Sequence, residues 1–131
     1  DVYSRYIVGW GISNSLESSE SLKVVQEAIK IHGKPEILNS DQGTQFSCHS
    51  YVEYLKKEEI KISMDGKGRC LDNIFIERFW RTLKYQHIFL NPAKDGLELY
   101  LGIQKWLQRY HNRGHQGIEL KKPVEKYKLA A

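Results

Sequence analysis

The sequence predicts an α/β fold, a layer of strands packed against helices. Three observations predict it. Short runs of β-branched and aromatic residues bounded by glycine, proline and asparagine alternate with longer stretches whose apolar residues recur at helical spacing. The 131 residues are one domain's worth of chain, able to bury about two thirds of its unfolded surface around one core. No internal repeat, low-complexity tract or linker divides it, so residues 1–131 read as a single domain.

The elements follow in order. Asp1 to Arg5 reads as the end of one strand turning into a second, Tyr6 to Ile12, whose mix of Ile7, Val8 and Trp10 suits a sheet. The partner of that strand would precede Asp1, so the N-terminal strand is expected to be missing from this sequence. Ser18 or Ser19 can cap a helix with Glu20 in its first turn. Leu22, Val25, Ala28, Ile29 and His32 then keep helical spacing until Gly33 and Pro35 stop it. Glu36-Ile37-Leu38 is a short strand that ends near Asp41 and turns at Gly43. Cys48 to Glu59 carries Tyr51, Val52, Tyr54 and Leu55 on a short surface helix, and Ile60, Ile62 and Met64 alternate with Lys61 and Ser63 as a half-buried strand does. Asp65 to Leu71, with Gly66 and Gly68, reads as a mobile loop.

The second half is helical. Phe75, Phe79 and Leu83 recur every four residues with Ile76, Trp80 and His87 beside them, an apolar core face, while Asn73, Glu77, Arg81 and Lys84 fall on the opposite stripe. Leu97 to His111 places Leu99, Tyr100, Ile103, Trp106, Leu107 and Tyr110 on one wide apolar face, and aromatic residues so spaced read as core. Pro123 opens a terminal helical turn over Val124 to Leu129.

Charge divides the chain. Residues 1–77 hold nine Lys/Arg against twelve Asp/Glu, whereas residues 78–131 hold eleven against four, within a total of +4. A basic half fits a polyanion, and an acidic half fits a cation site. No run of 18 apolar residues exists to span a bilayer as a helix, and the N-terminus lacks a basic-then-apolar signal pattern. Cys48 and Cys70 lack C-x-x-C spacing and read as structural or incidental. His111 and His115 stand four apart, but Gly114 and Gly117 argue against a helix there and no Glu adjoins either His, so a turn held by His and Arg hydrogen bonds replaces a zinc reading.

Two acidic residues carry the chemistry. Asp41 lies in Asn39-Ser40-Asp41-Gln42-Gly43-Thr44 at a strand end, and Glu77 lies on the polar stripe of its helix, pointing away from the core. Such a pair suits a hard divalent cation, because magnesium takes oxygen ligands and commonly uses one or two protein carboxylates. With 16 acidic residues in the chain, spacing alone identifies no pair. A glycosidase would also use two carboxylates, but no aromatic-lined sugar groove accompanies these.

The surrounding words are specific. Ser40-Asp41-Gln42-Gly43-Thr44-Gln45-Phe46, then Ser63-Met64, Gly66-Lys67-Gly68-Arg69-Cys70-Leu71-Asp72-Asn73, Glu77 and Thr82-Leu83-Lys84 together resemble the integrase core of bacterial insertion-sequence transposases, itself similar to retroviral integrases. Asp1-Val2-Tyr3-Ser4-Arg5 at the start, and Tyr110-His111-Asn112 with Arg113, His115 and Pro123 near the end, extend the resemblance over nearly the whole chain. It implies a ribonuclease-H-like core, a central mixed sheet flanked by helices, and DNA cleavage and joining by phosphoryl transfer. It implies Asp41 and Glu77 as catalytic metal ligands for magnesium or manganese. Lys84, Arg81, Lys67, Arg69 and Asn73 become DNA contacts, and Gln45 a supporting neighbour. The family's first catalytic aspartate has no match here, since Asp1 corresponds to the hairpin end. Two alternatives stay open: an inactive fragment keeping the fold and DNA binding, and a non-enzymatic assembly module. The implied partners are DNA, transposon ends and target, with a homo-oligomer on DNA, no membrane, and a cytoplasmic, nucleoid-associated location. Gln86 stands where many relatives carry an acidic residue.

Overall fold

The structure, a computed structural model, describes residues 1–64 and 73–130. In chain order the elements are α1 (Ser18–His32), β1 (Ile37–Ser40), α2 (Thr44–Ser47), α3 (His49–Lys57), β2 (Lys61–Met64), α4 (Ile74–Leu83), a π-helical turn (Lys84–Ile88), α5 (Gly96–His111), a 3₁₀ turn (Gln116–Ile118) and α6 (Pro123–Ala130). They gather into two compact units, one of Gly9–Glu77 and one of Asp1–Val8 with Arg78–Ala131.

In the first unit β1 and β2 pair in parallel, with Ile37 opposite Lys61 and Ser40 opposite Met64. This two-stranded ladder is the sheet among the described residues. Tyr51 and Leu55 of α3 and Ile60 form its core, and Leu22, Val25 and Ile29 of α1 with Leu38, Phe46, Cys48 and Ile62 close over it. That helical spacing on α1 and α3 and alternation on β2 supply these residues is the expected outcome of one buried face per element. Residues 6–12 carry no regular strand. A strand needs a ladder partner, and here Gly9 and Gly11 lie instead against Val24 and Ala28 of α1. Glu17, and neither Ser18 nor Ser19, is the N-cap of α1; the Ser19 hydroxyl donates to the Glu17 carboxylate at 3.4 Å.

The second unit is helical around an aromatic core. Ile103, Trp106, Leu107 and Tyr110 of α5 are buried with Leu83, Ile118 and Pro123. Phe79 meets Trp106 and Tyr110 edge to face, with ring centroids 6.1 and 5.5 Å away. The apolar stripe expected on α4 is buried at its end only. Leu83 is enclosed and Phe79 half-buried, whereas Phe75, Ile76 and Trp80 are exposed, Trp80 at 48%. Helical spacing identifies an apolar stripe without saying how far along it a neighbour reaches. Asp95 caps α5, its carboxylate accepting the Glu98 amide at 2.8 Å, while the Glu98 carboxylate accepts the Lys94 amide at 2.7 Å, a reciprocal cap.

Candidate functional site

Asp41 is positioned by the strand before it. The β1–β2 register brings both strand ends to one edge, and the Asn39 amide donates to the Ser63 hydroxyl across the ladder at 3.0 Å. At the carboxyl end of a parallel strand the chain turns into α2, and such edges are where open α/β sheets place ligands. The Gly43 amide donates to Asp41 Oδ1 at 2.8 Å, while Gly43 caps α2 by accepting from Phe46 and Ser47 at 3.0 and 3.2 Å. A side chain at position 43 would meet Asp41 Oδ1 at 2.8 Å and Gln45 Oε1 at 2.9 Å, so the glycine keeps the carboxylate in place by leaving room for it. The Gln45 amide is thereby a neighbour of this turn.

Glu77 stands in the first turn of α4, its amide donating to the Asn73 carbonyl at 3.1 Å. Its side chain is exposed, as is that of Asp41. Among the described residues neither forms an ion pair. Arg81 and Lys84, both exposed, likewise lack a carboxylate partner there, and Arg81 lies 5.9 Å over the Tyr85 ring. Lys67, Arg69 and the expected loop over Asp65 to Leu71 lie outside the described residues. No group of three or more His, Cys, Asp or Glu gathers among the described residues. An exposed carboxylate is the kind of oxygen donor that magnesium takes, with water and phosphate filling the rest of its octahedron. Asp1 is otherwise engaged: its carboxylate accepts from the Ser4 amide at 2.8 Å and from the Ser4 hydroxyl.

In the helical unit His111 and His115 hold backbone, as a turn reading of their spacing expects. His111 Nε2 accepts the Ile7 amide at 3.0 Å, and its ring stacks 4.0 Å from Tyr6, whose other face lies 4.6 Å from Tyr127. Burial, with the charge of His115 beside it, pushes the His111 imidazole down to about 4. His115 Nε2 lies 2.9 Å from the Tyr110 carbonyl. Arg113 donates to the Gln86 carbonyl oxygen at 2.8 Å and stands 6.0 Å over the Tyr110 ring. The sequence blocks contain Arg113 and Tyr110, but no local signal joins them to Gln86, 27 residues earlier.

Comparison with known proteins bears on both units. Residues 1–70 match a family model described as integrase core domain, and residues 58–123 match a second of the same description. The chain is 34% identical over 137 residues to the transposase for insertion sequence element IS904 of Lactococcus lactis subsp. lactis (strain IL1403), covering 97% of this chain and 53% of the relative. It is 30% identical over 116 residues to the putative transposase InsK for insertion sequence element IS150 of Escherichia coli (strain K12), covering 86% and 41%. The chain thus spans about half the length, or less, of these curated relatives. Among solved structures it is similar to the HTLV-2 integrase catalytic core domain in complex with magnesium (TM-score 0.65, 20% identity, 91% of this chain and 74% of that one). It is also similar to the simian T-cell lymphotropic virus intasome in complex with PP2A regulatory subunit B56 gamma (TM-score 0.71, 17% identity, 88% and 41%). At such identities the likeness establishes the fold, the ribonuclease-H-like core of retroviral integrases.

Proposed function

The chain belongs to the integrase core domain family, and from that premise we propose that it is the catalytic portion of an insertion-sequence transposase, acting in DNA transposition by metal-dependent strand cleavage and joining. Residues 1–131 act as one catalytic domain in this reading, which the overlap of the two family matches over residues 58–70 supports. Asp41 and Glu77 are its catalytic carboxylates and hold magnesium or manganese. The observation that carries the assignment is the placement of Asp41 at a parallel strand's carboxyl end, one oxygen fixed by the Gly43 amide and the side chain open to solvent.

A divalent cation held there supplies charge stabilisation at phosphorus and activation of an attacking hydroxyl. The chain's own residues bind and orient. The Gly43 amide keeps the Asp41 carboxylate from turning away, and Glu77 offers a second carboxylate from the first turn of a helix. Lys84, Arg81 and Asn73, with Lys67 and Arg69, take the DNA backbone, which fixes register without reading sequence. The protein works as a homo-oligomer on transposon ends and target DNA, in the cytoplasm beside the nucleoid. No helix among the described residues is long and apolar enough to cross a membrane.

A magnesium titration followed by thermal melting tests this. Magnesium is expected to raise the melting temperature of the wild-type chain and to leave Asp41→Asn and Glu77→Gln unmoved; equal shifts in all three would refute the assignment. Because two carboxylates of the family's three are assigned within these residues, the 131-residue chain alone is expected to bind cation and DNA with little or no strand transfer. Turnover by this chain, abolished in Glu77→Gln, would overturn that expectation and leave the metal assignment standing.

A further inference from the structure

Between Glu77 and Asp95 the sequence holds Arg78, Arg81, Lys84 and Lys94 and no carboxylate. The end of α4 and the π-helical turn lie in this segment with one face inward, where Leu83 and His87, four residues apart, are buried. His87 seats against α5 at Gly102, where a side chain would begin 2.8 Å from the imidazole Nε2. Positions two residues away along a helix fall on its opposite side, and Arg81, Tyr85 and Phe89 accordingly form an outward stripe. Tyr85 is 64% and Phe89 60% exposed.

The Arg81 guanidinium carbon lies 5.9 Å over the Tyr85 ring, and Tyr85 meets Phe89 edge to face with ring centroids 5.4 Å apart. Asn91 holds the far end of the turn, its side-chain amide donating to the His87 carbonyl at 3.0 Å. Arg81 and Lys84 are exposed and form no ion pair among the described residues. Adjoining exposed rings on a helix mark a contact surface, and π-helical turns recur at functional sites. An apolar protein face laid over these rings would leave the two cations without counter-charge. A duplex backbone would neutralise the cations and leave the rings in water. A strand with unpaired bases supplies both phosphates and flat π-faces.

We propose that Tyr85 and Phe89 form a stacking platform for unpaired bases of a DNA strand whose phosphates Arg81 and Lys84 take. This rests on the DNA reading above, in which Arg81 and Lys84 contact the backbone, and adds to it a contact to bases. Stacking tolerates any sequence because every base has a π-face, so the platform holds single-stranded DNA without reading it.

The test measures binding of three fluorescent probes by anisotropy across a salt series: a single-stranded DNA oligonucleotide, the same strand made abasic throughout, and the matching duplex. The wild-type chain is compared with Tyr85→Ala, Tyr85→Phe, Phe89→Ala and Arg81→Gln. Tyr85→Ala is expected to weaken single-strand binding at least about fivefold with an unchanged logarithmic salt slope, Phe89→Ala to weaken it by a smaller factor, and Tyr85→Phe to bind as the wild type does. Arg81→Gln is expected to flatten the slope by about 0.7, the signature of one lost phosphate contact on a single strand. On the abasic strand Tyr85→Ala and the wild type should bind alike, which a misfolded variant would not do. Single-strand binding unchanged in both Tyr85→Ala and Phe89→Ala, or wild-type binding of the duplex without the single strand, would overturn the platform and leave the DNA reading intact. A slope flattened in Tyr85→Ala as in Arg81→Gln would make its loss a phosphate effect and overturn stacking. Self-association lost in Tyr85→Ala, with DNA binding unchanged, would give the rings to a second copy of the chain and overturn it too. Binding of no probe by the wild-type chain would overturn both readings.

Discussion

In the unit of Gly9–Glu77, Lys23 lies 2.8 Å from Glu20, Lys34 2.9 Å from Glu58 and Lys56 3.8 Å from Glu53, yet Asp41 and Glu77 stand outside these pairs. In the unit of Asp1–Val8 and Arg78–Ala131 the described pairs use Lys121 and Lys122, and Arg78, Arg81, Lys84 and Arg113 stand outside them. Among the described residues the first unit leaves more carboxylates than cations outside such pairs, and the second more cations than carboxylates. Surface pairs contribute little to stability, roughly 0–1 kcal/mol each, so the charges that define each unit's chemistry are those its own partners do not neutralise. The cores differ as well. One is built from Leu55, Ile60 and Tyr51, the other from stacked and edge-to-face rings around Trp106 and Tyr110.

The two cores should show the largest effects. Trp106→Ala is expected to destabilise the chain by about 3–5 kcal/mol and Leu55→Ala by about 2–5 kcal/mol, read from denaturant melts; a loss below about 1 kcal/mol at either site would mean that its unit lacks the core described. Next comes pH. His111 is held neutral with a folded value of about 4 against an ordinary 6.5, so the unfolded chain takes up a proton there before the folded chain does. Stability from this site is complete above pH 6.5 and is lost as pH falls towards 4, by up to about 3 kcal/mol. Replacing His111 with Gln should flatten that part of the stability-against-pH curve, and an unchanged slope would contradict the burial of His111. Smaller again is Gly114→Ala. A side chain there would begin 2.4 Å from the Leu120 carbonyl oxygen, so a loss of about 1–3 kcal/mol is expected from the forced backbone shift. Asp95→Ala, which removes the cap of α5, should cost about 1 kcal/mol in thermal melting.

Much of this was legible in the sequence, and the limits have physical causes. α1, α3, α5 and α6 follow from apolar spacing and from Gly33, Pro35 and Pro123, and the strand ending at Asp41 follows from Ile37 and Leu38. These are local patterns, set by one buried face per element. The strand expected over 6–12 did not form, because its residue types describe a surface fit for pairing without supplying the partner. The exposure of Phe75, Ile76 and Trp80 has a similar cause: a stripe is local, and its cover is not. The Ile7 amide meets His111 across 104 residues and Arg113 meets Gln86 across 27. Neither follows from a period. The π-helical turn over Lys84–Ile88 also lacks a sequence signal of its own; the Phe89 amide reaches back to the Lys84 carbonyl at 2.9 Å and so widens the helix by one residue. Of the candidate site, the strand end at Asp41 and the helical setting of Glu77 were legible, and the packing of Arg113 over Tyr110 was not.

In the proposed function Asp41 and Glu77 share one divalent cation. Manganese added to the isotopically labelled chain, with backbone amide signals followed by NMR, tests it most directly, because a paramagnetic ion broadens only nearby nuclei. The Gly43 and Glu77 amides are expected to broaden together at the same manganese concentration, and Glu77→Gln is expected to remove the effect at both. Broadening at Gly43 that persists in Glu77→Gln, or that leaves the Glu77 amide untouched, would contradict it.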